Sequence, residues 1–213
     1  MLKRYGVWLT AVTLFMAMAV PAAVAGPKGT DRPISGHATG FALFGANQPG
    51  GGTDGLLNVF DCDEAAGLPA DYPYPPDVTP EQFRAFFQVT TFTSADGSMS
   101  HLGRIHMEAV HCPGLMGPVN GQIAFEAANG DVLYGEYNGT YEEDGVYLDI
   151  EFMAESSFDR GCYLLNDMPC ESTGRFAEAT GTATMIADAV PGSEDDDFVP
   201  WPWWGEWIGQ LSY

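Results

Sequence analysis

Residues 98–141 read SMSHLGRIHMEAVHCPGLMGPVNGQIAFEAANGDVLYGEYNGTY, and three strand-like runs follow one another within them. A Pro/Gly-rich loop at 113–120 separates the first two. Asn129-Gly130 separates the last two. Asn-Gly between alternating apolar residues is the strongest local signal for a hairpin, because a type I′ turn needs positive φ at both central positions. The stretch therefore reads as an antiparallel meander.

The same grammar extends in both directions. Asp96-Gly97 and Asp144-Gly145 are further hairpin signals. Residues 86–94 (FFQVTTFTS) are β-branched and aromatic, and 99–112 reads as one long central strand. Residues 146–153 (VYLDIEFM) alternate cleanly, with Val146, Leu148, Ile150 and Phe152 on one face. Strands are also expected at 34–44, whose glycines suit close backbone approach, at 181–189, and in the aromatic run that closes the chain. A short strand fits 56–60. Thr79-Pro80-Glu81-Gln82 has the form of a helix start, with room for one or two turns. Turn signals recur at short spacing and helical periodicity is nearly absent. The expectation is an all-β fold: a single antiparallel closed β-barrel of about eight strands, with at most one short helix. Closure pairs the first strand with the last and removes both edges.

Residues 1–25 carry a basic start (Lys3, Arg4), an apolar run and an Ala-Val-Ala cleavage pattern, and read as a secretory signal peptide. Residues 26–213 then form one barrel domain, with a Pro- and acid-rich insertion at about 61–80. No later stretch is apolar enough for a membrane-spanning helix. The expected location is secreted or periplasmic. Four cysteines after an export signal point to disulfides. Cys62–Cys112 and Cys162–Cys170 are the favoured pairs: the first staples the insertion to the central strand, the second clips a short loop.

The formal charge is −21, with 29 acidic and 8 basic residues. Loss of Lys3 and Arg4 with the leader leaves −23. Such a chain is repelled by phosphate backbones, which excludes nucleic acid as a partner. Its acidity and its two lysines suit solubility in a salty external medium.

SHLGR (100–104), ANGDVLYGEYNGTY (128–141), STGRFAEATGTAT (172–184) and the closing IGQLSY resemble a group of exported bacterial proteins. ISGHATG extends the likeness to the first strand. That group is held to have a barrel similar to those of allene oxide cyclase and the dirigent proteins, and mostly lacks an assigned activity. The resemblance implies the fold and no reaction. None of the cyclase's catalytic residues carries over.

Several side chains invite a chemical reading. His101, His106 and His111 suggest a metal site. On one ideal strand, however, His101 and His111 lie about 33 Å apart and His106 points the other way. No metal or cofactor is expected. Arg104, His106 and Glu108 share a face and form a candidate acid–base array. The alternative for them is a solvated outer face, since Ile105, Met107 and Ala109 opposite make better barrel core. Glu126, Tyr134, Glu136 and Tyr137, on neighbouring strands, are a weaker candidate. The acidic run 194–197 lacks an EF-hand pattern. Asn138-Gly139-Thr140 matches a glycosylation acceptor inside an expected strand. Trp203, Trp204 and Trp207, with Trp201, either line a barrel mouth against an apolar ligand or plug the barrel end.

Three functions follow. The first is a non-enzymatic exported barrel that binds an apolar small molecule or serves a structural role. The second is a cyclase- or isomerase-like enzyme acting in the lumen. The third is an outer-membrane barrel, against which stand acidic residues and glycines where a lipid-facing band should be apolar.

Overall fold

A computed structural model describes residues 31–44, 62, 90–114, 116–157, 162, 164, 168–189 and 201–213. The leader, the possible strand at 56–60, the helix start at 79–82, the acidic run at 194–197 and the insertion apart from Cys62 lie outside these residues.

Eight strands close into an antiparallel barrel in chain order. They are β1 (Arg32–Phe44), β2 (Thr91–Met99), β3 (Gly103–Pro113), β4 (Pro118–Ala127), β5 (Val132–Glu142), β6 (Gly145–Phe152), β7 (Thr180–Ala189) and β8 (Trp201–Ser212). β1 pairs with both β2 and β8, so neither end of the meander is a free edge. A 3-10 turn, Gly174–Phe176, lies between β6 and β7.

The central meander forms as its turn residues dictate. Gly130 and Gly145 take φ of 84° and 146° at the β4–β5 and β5–β6 turns. The long strand expected at 99–112 is instead two elements: β2 runs on to Met99 and turns at 100–102 before β3 begins. Asp96-Gly97 is therefore mid-strand. The positive φ that a tight turn needs is supplied by His101 (69°) and Gly103 (78°). Gly97 serves close packing: a Cβ there would lie 2.0 Å from the His37 carbonyl oxygen of β1.

Period-2 alternation sorts the side chains. Ile105, Met107 and Ala109 of β3 point inward and are buried, as are Leu148, Ile150 and Phe152 of β6 and Trp207 and Leu211 of β8. The outer face is not uniformly wet. Phe92, Val110, Cys112, Ala124, Val132 and Tyr134 form a second cluster on the outside of β2–β5, covered by Cys62, Leu164 and Met168. Two disulfides hold this cover, Cys62–Cys112 and Cys162–Cys170, which are the pairs expected from the sequence.

Candidate functional site: a half-filled lumen

One end of the barrel is packed solid. Phe125 lies 5.1 Å, centroid to centroid, from Trp207 and 6.2 Å from Phe152. Beyond them Phe176, from the 3-10 turn, is buried against Tyr213. The other end holds a cavity of about 340 Å³. Its walls include Ala42, Met107, Ala109, Ile123, Leu148 and Met185. At the rim, Tyr141 is exposed and Asp188 and Trp201 are partly so. The volume falls at the lower end of the range, roughly 300–1,000 Å³, typical of small-molecule sites.

One wall is polar. His111, next in the inward series after Met107 and Ala109, faces Thr91 directly across the β2–β3 pair. Its Nδ1 is 2.7 Å from the hydroxyl of Tyr137 on β5. A side chain of β5 reaches β3 because β4 is bare between them. Gly121 pairs with Tyr137, and a Cβ at 121 would lie 2.4 Å from Tyr137 Cζ. The β3–β4 register shifts here, with Asn120 at φ 53°, so a bulge sits beside the polar wall.

Electrostatics make this wall neutral. His111 keeps some surface toward the cavity but is otherwise enclosed, and burial pulls its pKa from 6.5 down to about 4. Burial, followed by the neighbouring Tyr141, pushes the Tyr137 hydroxyl well above its ordinary value. The pair is uncharged at neutral pH in either tautomer. If the hydroxyl donates to Nδ1, Nε2–H is left as a donor. If Nδ1–H donates to the hydroxyl oxygen, the hydroxyl keeps its own proton to give. The Thr91 hydroxyl is buried and has no hydrogen-bond partner among the described residues.

The residues singled out by sequence are dispersed. Arg104, His106 and Glu108 are on the outer face. His106 Nδ1 lies 3.0 Å from Asp96 and its Nε2 3.6 Å from Glu108. Arg104 is exposed, whereas Glu108 is wholly buried between Ser94 and Ala124. The row is thus half surface and half outer core, not a uniformly solvated face. Of the tryptophans, Trp203 lines the cavity, Trp204 points outward at 37% exposure, and Trp207 is buried with its ring over Gly36. Glu136 accepts hydrogen bonds from Tyr134, Ser156 and Ser157 and pins the 153–157 segment to β5, while Glu126 is exposed. His101 lies in the β2–β3 turn, its Nε2 3.1 Å from the Pro33 carbonyl oxygen. No group of three metal-ligating side chains comes together among the described residues. Sequence reasoning groups His111 with the other histidines by type. The signal that places it is its phase with Ile105, Met107 and Ala109.

Comparison with family models, curated proteins and solved structures gives no match.

Proposed function

We propose that the protein is a non-enzymatic exported barrel that binds an apolar small molecule in the open half of its lumen. The observation that carries this reading is the cavity of about 340 Å³, apolar on most sides with one neutral polar wall. Such a cavity offers burial for a hydrocarbon or aromatic body and a few groups to orient it. Trp203 lies against that ligand; Trp204 and Trp207 have other surroundings. The test is titration with the neutral dye N-phenyl-1-naphthylamine. Saturable one-to-one binding is expected. It should disappear in Ala187→Trp, which fills the lumen, while the β-sheet circular dichroism stays. Equal binding by Ala187→Trp would overturn the reading.

The second reading, a cyclase- or isomerase-like enzyme, draws on the same His111–Tyr137 pair. Acid–base catalysis works best with a pKa near the operating pH, and an imidazole at about 4 is a weak base there. Turnover of an apolar substrate that is lost in His111→Phe would favour it. The outer-face array of Arg104, His106 and Glu108 is a further candidate for catalysis, its test being loss of any turnover in His106→Ala. An outer-membrane location fits poorly with the exposed Asp96, Glu126, Asp149, Glu151 and Glu206 on the barrel exterior. The disulfides suit an oxidising, extracytoplasmic compartment. Recovery from the secreted or periplasmic fraction with residues 1–25 removed is the expected result. Kinship with the allene oxide cyclase-like barrels is proposed on the residues quoted above.

A further inference from the structure

The composition of the lumen carries a statement about ligand charge. We propose that the cavity selects an uncharged ligand bearing an oxygen acceptor, such as a ketone, ester or alcohol on a compact apolar body, and rejects the corresponding carboxylate. This rests on the binding reading above and adds the chemical class to it.

Three observations converge. The first is the polar pole itself. Thr91 and His111 face each other across β2–β3, and Tyr137 reaches His111 over Gly121. Thr91 is 97% buried and lines the cavity, and its hydroxyl lacks a partner among the described residues. A buried hydroxyl without a partner is unfavourable, and a ligand oxygen at this wall would relieve it.

The second is the absence of a cation from the described lining. Lys and Arg are the groups that pair with carboxylates. The described arginines are committed elsewhere. Arg32 donates to the Tyr213 hydroxyl and Arg175 pairs with Asp131, both beyond the packed end of the lumen. Arg104 sits outside, beside Asp96, His106 and Glu126. The one imidazole that could become cationic is held in an enclosed site where charge is penalised.

The third is the approach. Asp188 stands at the rim, and the chain as a whole carries −21. A carboxylate at a low-dielectric mouth, on a chain of one dominant charge sign, sets up a field that turns anions away.

Equilibrium dialysis at pH 8 with naphthalene, 2-acetylnaphthalene and 2-naphthoate separates the possibilities. The three share a body and differ in the head group. The ketone should bind about fivefold more tightly than naphthalene and at least about tenfold more tightly than the carboxylate, the scale of a single buried hydrogen bond and of an uncompensated charge. Thr91→Val and Tyr137→Phe should each erode the margin of the ketone over naphthalene, read as the ratio of the two affinities within each variant. Binding of 2-naphthoate equal to that of the ketone overturns the charge selection while leaving lumenal binding intact. Failure of all three probes, or unchanged binding of them by Ala187→Trp, overturns lumenal binding and this inference with it.

Discussion

His111 is an imidazole set in a mostly apolar wall, and its environment has a thermodynamic consequence. Its folded pKa, about 4, lies below the unfolded value of 6.5. Between these values the unfolded chain binds a proton that the folded one refuses, so stability rises with pH through the window and falls as acid is added. Integrated from pH 7.5 down to 5, the loss is about 2 kcal/mol. Urea unfolding at the two pH values should show wild type losing that much more than His111→Gln, in which no imidazole titrates. Equal losses would mean that His111 is not desolvated. Gly121 offers a second residue-scale test. Gly121→Ala should cost about 1–3 kcal/mol, because the new methyl meets the Tyr137 ring. In a Tyr137→Leu background the cost should shrink, with a coupling of about 0.5–3 kcal/mol in a double-mutant cycle. Strict additivity would refute the ring-over-glycine account.

At the scale of elements, the outer cover of β2–β5 depends on a covalent tie. Cys62 is joined to Cys112 across 50 residues of chain, and both sulfurs lie in the outer cluster. Loop-closure entropy assigns such a link about 4 kcal/mol. The Cys62→Ala/Cys112→Ala variant should lose about that much in denaturant unfolding, and a change below about 1 kcal/mol would show that the cover is held by packing alone. This cover also explains what could be read from sequence and what could not. The strands were legible because alternation and turn glycines are local signals: 146–152 and the Asn129-Gly130 hairpin came directly from them. Asp96-Gly97 misled because the same dipeptide serves a turn or a close strand contact, and which one applies depends on β1, more than fifty residues away. The burial of Glu108 was illegible for the same reason. The outer face of β2–β5 carries a buried cluster that takes in Cys62, Leu164 and Met168, and period-2 reasoning knows only inside and outside. The polar wall needed three strands in register and one glycine between two of them. Each residue was visible, but their meeting was not.

For the whole molecule, closure and charge pull in opposite directions. The barrel gathers acidic side chains onto a small outer surface. Glu151 lies directly opposite Glu136 across β5–β6, and Glu142, Glu143 and Asp144 crowd the turn that joins those strands. With 29 acidic residues against 8 basic ones, most carboxylates have no cation to face. Folding concentrates this charge, so the compact state carries a self-repulsion that the expanded chain largely escapes. Screening should therefore stabilise the fold. The Debye length falls from about 30 Å at 0.01 M salt, which spans the barrel, to about 8 Å at 0.15 M and 3 Å at 1 M. Thermal unfolding in sodium chloride at pH 7.5 should show Tm climbing steeply over the first interval and little thereafter, by roughly 2–4 °C for each kcal/mol of repulsion relieved. Chloride is the informative anion, because sulfate raises stability by exclusion from the surface whatever the charge. Glu151→Gln gives the local counterpart: a gain of a few tenths of a kcal/mol at 0.01 M that vanishes at 1 M. A Tm that stays flat or falls with added chloride would mean that the acidic surface is balanced by contacts within the fold, and an adaptation to salt would lose its physical basis.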